Sequence, residues 1–326
     1  MLRSMYSGIT GLRNFQTKLD VIGNNISNVN TYGFKKGRTV FKDLVSQTVA
    51  GASGPTGTQG GTNPRQVGLG SQLATIDTLH GQGSSQFTGN TLDLAITGDG
   101  FFIVEDGGER VYTRAGNFYM DRNGDLVDGD GRYVQGATGI INIPTTASSM
   151  SVGQDGTVYY VDLPPGAAAT IEAAEQTFAT AKTTYETAKA TYEAIQNPSQ
   201  ADTTTWENAQ AAYKTAQDTL AQVKEANAAT LQEAGQIQMA KFANPGGLEK
   251  VGGNLFRASA NSGPAETGFA LDQGFGSMES GFLEMSNVDL AEEFTEMIVA
   301  QRGFQANTRI ITTSDEILQE LVNLKR

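Results

Sequence analysis

The sequence predicts an α+β protein of discontinuous, multidomain build: a terminal α-helical coiled coil, an antiparallel β domain and an inserted antiparallel helical hairpin. Three observations carry this reading. Apolar residues step by three and four through the first thirty positions, and a similar pattern returns over 290–318. Short apolar runs parted by Asp-Gly and Asn-Gly turns fill much of the middle. Between Ile171 and Val223 the texture changes again, to two heptad-like runs with a break between them. The domains expected are 1–33 with 286–326 for the helical termini, 34–90 for an extended linker region, 91–165 with 235–285 for the β-rich part, and 166–234 for the hairpin.

Leu2, Met5, Ile9, Leu12, Phe15, Leu19, Ile22, Ile26 and Val29 make one narrow stripe, and Gly33 stands where a helix C-terminal cap is expected. The C-terminal helix mirrors this. Ser286 and Asn287 are placed to cap it, and Asp289, Glu292 and Glu293 suit the dipole of its first turns. Leu290, Met297, Phe304, Ile311 and Leu318 then recur every seven residues, and Lys325 and Arg326 bring positive charge to the end. A helix with one stripe is marginal alone, so the termini need each other or other subunits.

Residues 51–70, GASGPTGTQGGTNPRQVGLG, read as a compliant linker. TLDLAI alternates Leu92, Leu94 and Ile96, and Asp106-Gly107-Gly108, Asn123-Gly124, Asp130-Gly131 and Asp155-Gly156 separate short strands. In the hairpin, Ala174, Phe178, Ala181, Tyr185, Ala188, Tyr192 and Ile195 form one seam. Trp206, Ala209, Tyr213, Ala216, Leu220 and Val223 form the other. Thr204 and Glu207 read as a capping box for the second arm, and each arm of about 28 residues would span ~42 Å.

Composition narrows the function. The chain has 326 residues, a net charge of −12, 38% hydrophobic and 18% charged content, and 39 glycines against an average near 7%. A nucleic-acid binder needs a basic footprint, which this charge denies. With no cysteine, disulfides, thiolate metal sites and cysteine nucleophiles are excluded. No apolar run reaches membrane-spanning length, and MLRSMYSGITGLRNF lacks the apolar core of a secretory signal. Export would have to read an uncleaved terminus.

No catalytic, cofactor or metal constellation emerges. DRNGDLVDGDGR spaces Asp121, Asn123 and Asp125 like a calcium loop, but Leu126 stands at the glycine position and Arg132 at that of the bidentate glutamate, so a hairpin turn is expected. His80 is the only histidine and has no nucleophile elbow to serve. The remaining anomaly is polar. Asn24, Asn25 and Asn28 sit among Val21, Ile22, Ile26 and Val29, while Gln301, Asn307, Thr308 and Asp315 sit among the C-terminal apolar positions. Two readings stand: a polar face ending in a cap, or polar groups that fix register in an assembly.

SGITGLRNFQTKLDVIGNNISNVNTYGFKKGR resembles the N-terminal signature of bacterial flagellar axial proteins, the rod and hook group, and GFLEMSNVDLAEEFTEMIVAQRGFQANTRIITTSDEIL resembles their C-terminal signature. TLDLAITGDGFFIVEDGG, YTRAGNFYMDRNGDLV and FANPGGLEKVGGNLF are similar to their shared β domain. The resemblance implies a structural subunit that polymerises helically into a tube, with paired terminal helices in the inner wall. The partners it implies are further copies of itself, rod, hook-cap and hook–filament junction proteins, and the flagellar type III export apparatus. The location it implies is extracellular, in the flagellar hook or basal body. The expected assembly interface is Leu12, Leu19, Ile22, Asn24, Asn25, Asn28, Gly33 and Phe34 with Met297, Gln301, Phe304, Asn307, Ile311 and Leu318. The expected role is the hook, a flexible joint between rod and filament; the alternatives are the stiff distal rod and, more remotely, a secreted adhesin. The hairpin at 166–234 departs from the family pattern, and the lack of cysteine excludes cross-linking through one.

Overall fold

The computed structural model describes residues 2–164, 166–194, 199–227 and 230–324. The chain divides into two compact units, one formed by Met1–Phe118 with Gln238–Arg326, the other by Tyr119–Ile237. Among the described residues the helices are α1 (Leu2–Ser27), α2 (Ala167–Ala194), α3 (Gln200–Ala226) and α4 (Leu290–Asn323), and every strand pairing is antiparallel. This is the α+β class expected.

In the first unit α1 packs along α4. The region expected to be a linker is instead a long two-stranded arm. Gly37–Asp43 pairs with Ser71–Thr78, Ser46–Ala50 pairs with Arg65–Gly68, and bridges Ser53–Thr62 and Thr56–Gln59 carry the pairing to the tip. The misreading has a physical source. The outer strands, Ser46–Ala50 and Arg65–Gly68, bury neither face, so they show no alternation.

The β core of this unit runs in the order Glu249–Gly252, Leu255–Arg257, Glu109–Thr113, Phe101–Asp106, Met239–Lys241, Glu266–Gly268. Phe101, Phe102, Ile103 and Val104 are consecutive and all buried, so this strand is covered on both faces. Phe101, Phe242, Phe256 and Tyr112 pack edge to face, with ring centroids 4.8–5.9 Å apart. Leu94–Thr97 pairs with Ser277–Ser280, and Ser85–Phe87 with Phe282–Glu284. These two pairs lead directly into α4.

The second unit opens with a meander of Tyr119–Met120, Leu126–Val127, Tyr133–Gly136 and Gly139–Ile140. Its first turn carries no ion-binding geometry: Asp121 Oδ1 accepts from the backbone N–H groups of Asn123 and Asp125 at 2.7 and 2.9 Å. A three-stranded sheet follows, Ser149–Val152, Thr157–Asp162 and Thr230–Gln236. The last two strands are neighbours in that sheet, and the α2–α3 hairpin is the connection between them.

Aromatic side chains form the hairpin seam. Tyr192 stacks on Trp206 and Tyr185 on Tyr213, both at 5.2 Å, and Phe178 meets Tyr213 at 5.4 Å. Two boundary details differ from the sequence reading. The second arm is capped by Ser199 with Asp202, not by Thr204 with Glu207, because the helix already begins at Gln200. The chain is back in a strand by Thr230, so Gly235, where the β-rich part is expected to resume, already lies inside it. Ile195 of the expected seam, Pro165 at the expected boundary before the hairpin, and Lys325 and Arg326 of the expected basic end lie outside the described residues.

Candidate assembly interface

The seam between α1 and α4 is built on small residues. A Cβ on Gly303 would come within 2.5 Å of the Phe15 ring, and one on Gly11 within 2.9 Å of the Asn307 amide. Each glycine is therefore a notch that receives a side chain from the opposite helix. Ala300 and Ser314 are buried along the same line, and Ile22 is buried from the α1 side. Leu12, Leu19, Met297, Asn307, Ile311 and Leu318 are half-buried along the pair.

The seven-residue recurrence does not mark this seam throughout. Leu290, Gln301 and Phe304 are exposed, and Glu293, Ala300, Gly303 and Ser314 take the inward positions. A straight α-helix drifts about 20° per heptad against a strict seven-residue repeat, so one repeat cannot follow one face over 34 residues. The result is a broad apolar surface without a partner among the described residues. Phe294 is 50% exposed, Ile298 and Val299 59%, and Ile310, Ile317 and Leu321 are also exposed. A clustered apolar surface of this kind marks an interaction site.

The asparagines separate into distinct roles. Asn25 is buried and clasps the root of the arm: its Oδ1 accepts from Gly37 N–H and its Nδ2 donates to Gly37 O, both at 2.9 Å. The second amide hydrogen goes to Glu293 Oε2 at 3.1 Å. One side chain thus ties α1, the arm and the first turn of α4 together, within the chain. Burial raises the pKa of Glu293, partly offset by the Asn25 hydrogen bond and by Lys36. Asn28 closes the end of α1, donating to Asn24 O at 2.9 Å and to Asn24 Oδ1 at 3.0 Å, and Asn24 itself is exposed.

Two capping expectations change. Gly33 does not cap α1, which ends at Ser27. It has φ +67°, donates its N–H to Glu284 O at 2.8 Å, and lies so close to the Arg114–Ala115 backbone that a Cβ has no room. The α4 cap is Asp289, which accepts from Ala291 and Glu292 N–H. Asn287 instead joins three segments, accepting from Lys36 N–H at 2.8 Å and donating to Leu79 O and Gly81 O. Phe34 is buried beneath the Lys250 ammonium, 5.0 Å from its ring centroid.

Behind Phe34 lies an ion cluster that sequence reasoning missed. Lys35 and Glu284 are 2.6 Å apart with both side chains at most 1% exposed, and Arg114 reaches the other carboxylate oxygen at 3.3 Å. Gly83 N–H donates to the same carboxylate at 2.9 Å, and Lys35 donates to Gly81 O. Arg114 also donates to Ile96 O and Gly98 O. Burial lowers the pKa of both cations, and Glu284 opposes that shift. His80, edge-on to Phe101 and Phe256, is lowered to about 4 by burial and then by the cations Lys35, Lys250 and Arg114. It is a neutral packed ring, not a base. Lys35, Arg114 and Glu284 all occur inside the motifs read above, but single charges in a motif carry no local sign of burial.

Among the described residues no cluster of acidic or histidine side chains is placed to hold a metal ion, and no helix is long and apolar enough to cross a membrane. What the geometry provides is a scaffold: a helix pair locked to a β domain, with an apolar face left open on α4.

Comparison with known proteins gives that scaffold a context. Residues 5–35 match the family described as "Flagella basal body rod protein", 95–160 the "Flagellar hook protein FlgE/F/G D1 domain", and 279–324 the "Flagellar basal body rod FlgEFG protein C-terminal". The chain is 51% identical to the flagellar basal-body rod protein FlgG of Bacillus subtilis, over 328 aligned positions covering all of both chains. It is 34% identical to the flagellar hook protein FlgE of Borreliella burgdorferi and 31% identical to that of Treponema pallidum, again over the whole of each chain.

Proposed function

The chain belongs to the family of bacterial flagellar rod and hook proteins, and from that premise we propose that it is the subunit of the distal rod, the stiff shaft of the flagellum. Its family is structural and not enzymatic. The observation that carries the rod reading is the end-to-end match at 51% identity to a rod protein of nearly the same length. The hook-protein alignments stretch to 443 and 463 positions, far beyond the 326 residues here. The fold adds support. The 51–70 segment, whose compliance favours a bending joint, lies in a paired arm rooted by Asn25.

On this reading the open apolar face of α4 meets further copies of the chain. The subunit joins other rod, cap and junction proteins after export through the flagellar type III apparatus. The flexible hook is the second reading, favoured by the full-length likeness to two hook proteins and by the glycine- and threonine-rich arm tip.

A strain lacking the gene separates the two. Electron microscopy of its basal bodies should show a short proximal rod and no hook, and tubes grown from purified protein should be straight. A complete rod that lacks only a hook, or tubes that curve, would establish the hook instead.

A further inference from the structure

We propose that the loop tip carrying Leu271 and Asp272 in one copy of the chain docks into the pocket formed by Asn24, Phe34 and Lys250 in the next. The inference rests on the reading of the chain as a polymer subunit, rod or hook alike, and names one contact within that polymer.

Among the described residues two non-glycine positions have a left-handed backbone, Asn254 at φ +59° and Leu271 at φ +69°. Asparagine tolerates that region, whereas a bulky leucine is strained in it. The loop holds Leu271 there. Its N–H donates to Gly276 O at 3.1 Å, and Gly276 N–H donates to Asp99 O at 2.9 Å. Asp272 Oδ2 accepts from Phe269 N–H at 3.0 Å, and Lys241 fastens the far side by donating to Gly274 O at 2.9 Å. The leucine so held is 61% exposed, so the strain brings the single chain little packing in return. Strain of this kind is retained where a function uses it. A large apolar side chain on a braced tip has the form of an interface anchor.

The same unit carries a pocket that suits it. About 260 Å³ is enclosed by residues that include Asn24, Phe34, Lys250, Gly252, Asn254 and Leu255, which is room for a leucine side chain; Leu271 of the same chain does not line it. The Lys250 ammonium meets Lys35 O at 3.0 Å and the Phe34 ring, and among the described residues it meets no carboxylate. Asp272, exposed beside Leu271, brings one. Knob and hole thus match in both apolar character and charge. Because they are different patches of one unit, their contact is heterologous, and a heterologous contact that does not close on itself builds a filament.

The chain has no cysteine, so introduced thiols react alone. Gln273→Cys marks the tip and Asn24→Cys the pocket rim, both at exposed positions. Tubes grown from an equimolar mixture of the two full-length variants are treated with a short bis-maleimide. Covalent dimers are expected from the mixture and not from either variant alone. Leu271→Gly removes the knob and the strain together. The unassembled variant should melt no lower than the parent, while its critical concentration for tube growth rises at least about tenfold. A leucine that served only the fold would give the opposite pair of results. Tubes without mixed dimers, equal dimer yield from a single variant, an unchanged critical concentration or a lowered melting temperature would overturn the contact and leave the polymer reading standing. A parent protein that forms no tubes would overturn both.

Discussion

Replacing Glu284 by glutamine tests whether the buried ion cluster holds the first unit together. The carboxylate accepts from Lys35 at 2.6 Å, from Arg114 at 3.3 Å and from Gly83 N–H at 2.9 Å, in a site with essentially no solvent. Glutamine keeps the shape and an acceptor oxygen but leaves two buried cations facing a neutral amide. Removing one member of a buried ion pair typically costs about 3–5 kcal/mol. With a urea slope near 2 kcal/mol/M, the midpoint should fall by about 2 M. The assay is hydrogen exchange of the 94–113 strands against urea, because these strands lie in the affected unit. Lys35→Met in the Glu284→Gln background should recover part of the loss, since it restores the original net charge of the cluster. Alkali should help the single variant as well. Lys35 has a folded pKa below its ordinary 10.5, so the unfolded chain binds more protons between the two values and stability rises with pH across that window. A midpoint shift worth less than about 0.5 kcal/mol would refute the reasoning, because the cluster would then be no stronger than a surface pair.

Other consequences are open to simpler measurements. Ile298→Asp alters an exposed side chain and should block polymer growth, seen by sedimentation, while leaving the circular dichroism of the monomer unchanged. Ile22→Asp places a charge in the α1 seam and should melt the helix pair first, so loss of assembly there should come with loss of helix signal. Gly33→Ala should lower stability by more than about 1 kcal/mol in urea titrations, because φ +67° and the neighbouring backbone both exclude a Cβ. His80 gives a pH signature: the unfolded imidazole gains a proton below 6.5, and the folded one gains it only near 4. Stability should therefore fall as pH drops through that interval, and His80→Phe should flatten the fall.

The helices and the hairpin were legible because their signals are local. A 3.6-residue period and an aromatic seam need no knowledge of distant partners. The asparagine anomaly was visible too, but its resolution was not, since Asn25 is explained only by Gly37 and by Glu293, 268 positions away. The arm escaped for a related reason. Its outer strands are defined by each other and bury nothing that would pattern the sequence. Along α4 the largest apolar residues drew attention, yet the buried line follows the small ones, because glycine and alanine let the backbones approach.

The chain path also sets an order of events. Unit two is continuous in sequence, and its three-stranded sheet and hairpin can close from local contacts as soon as they are made. The helix pair cannot. Its Asn25–Glu293 and Lys35–Glu284 contacts close loops of 268 and 249 residues, with an entropic cost of about 5 kcal/mol that grows only slowly with length. During synthesis α1 therefore waits, unpaired, until residues 284–293 have left the ribosome. A chain interrupted anywhere before that point can hold a finished second unit and still present no α4 surface. Such a fragment lacks the surface that the proposed assembly requires, so the discontinuous fold ties that surface to a finished chain.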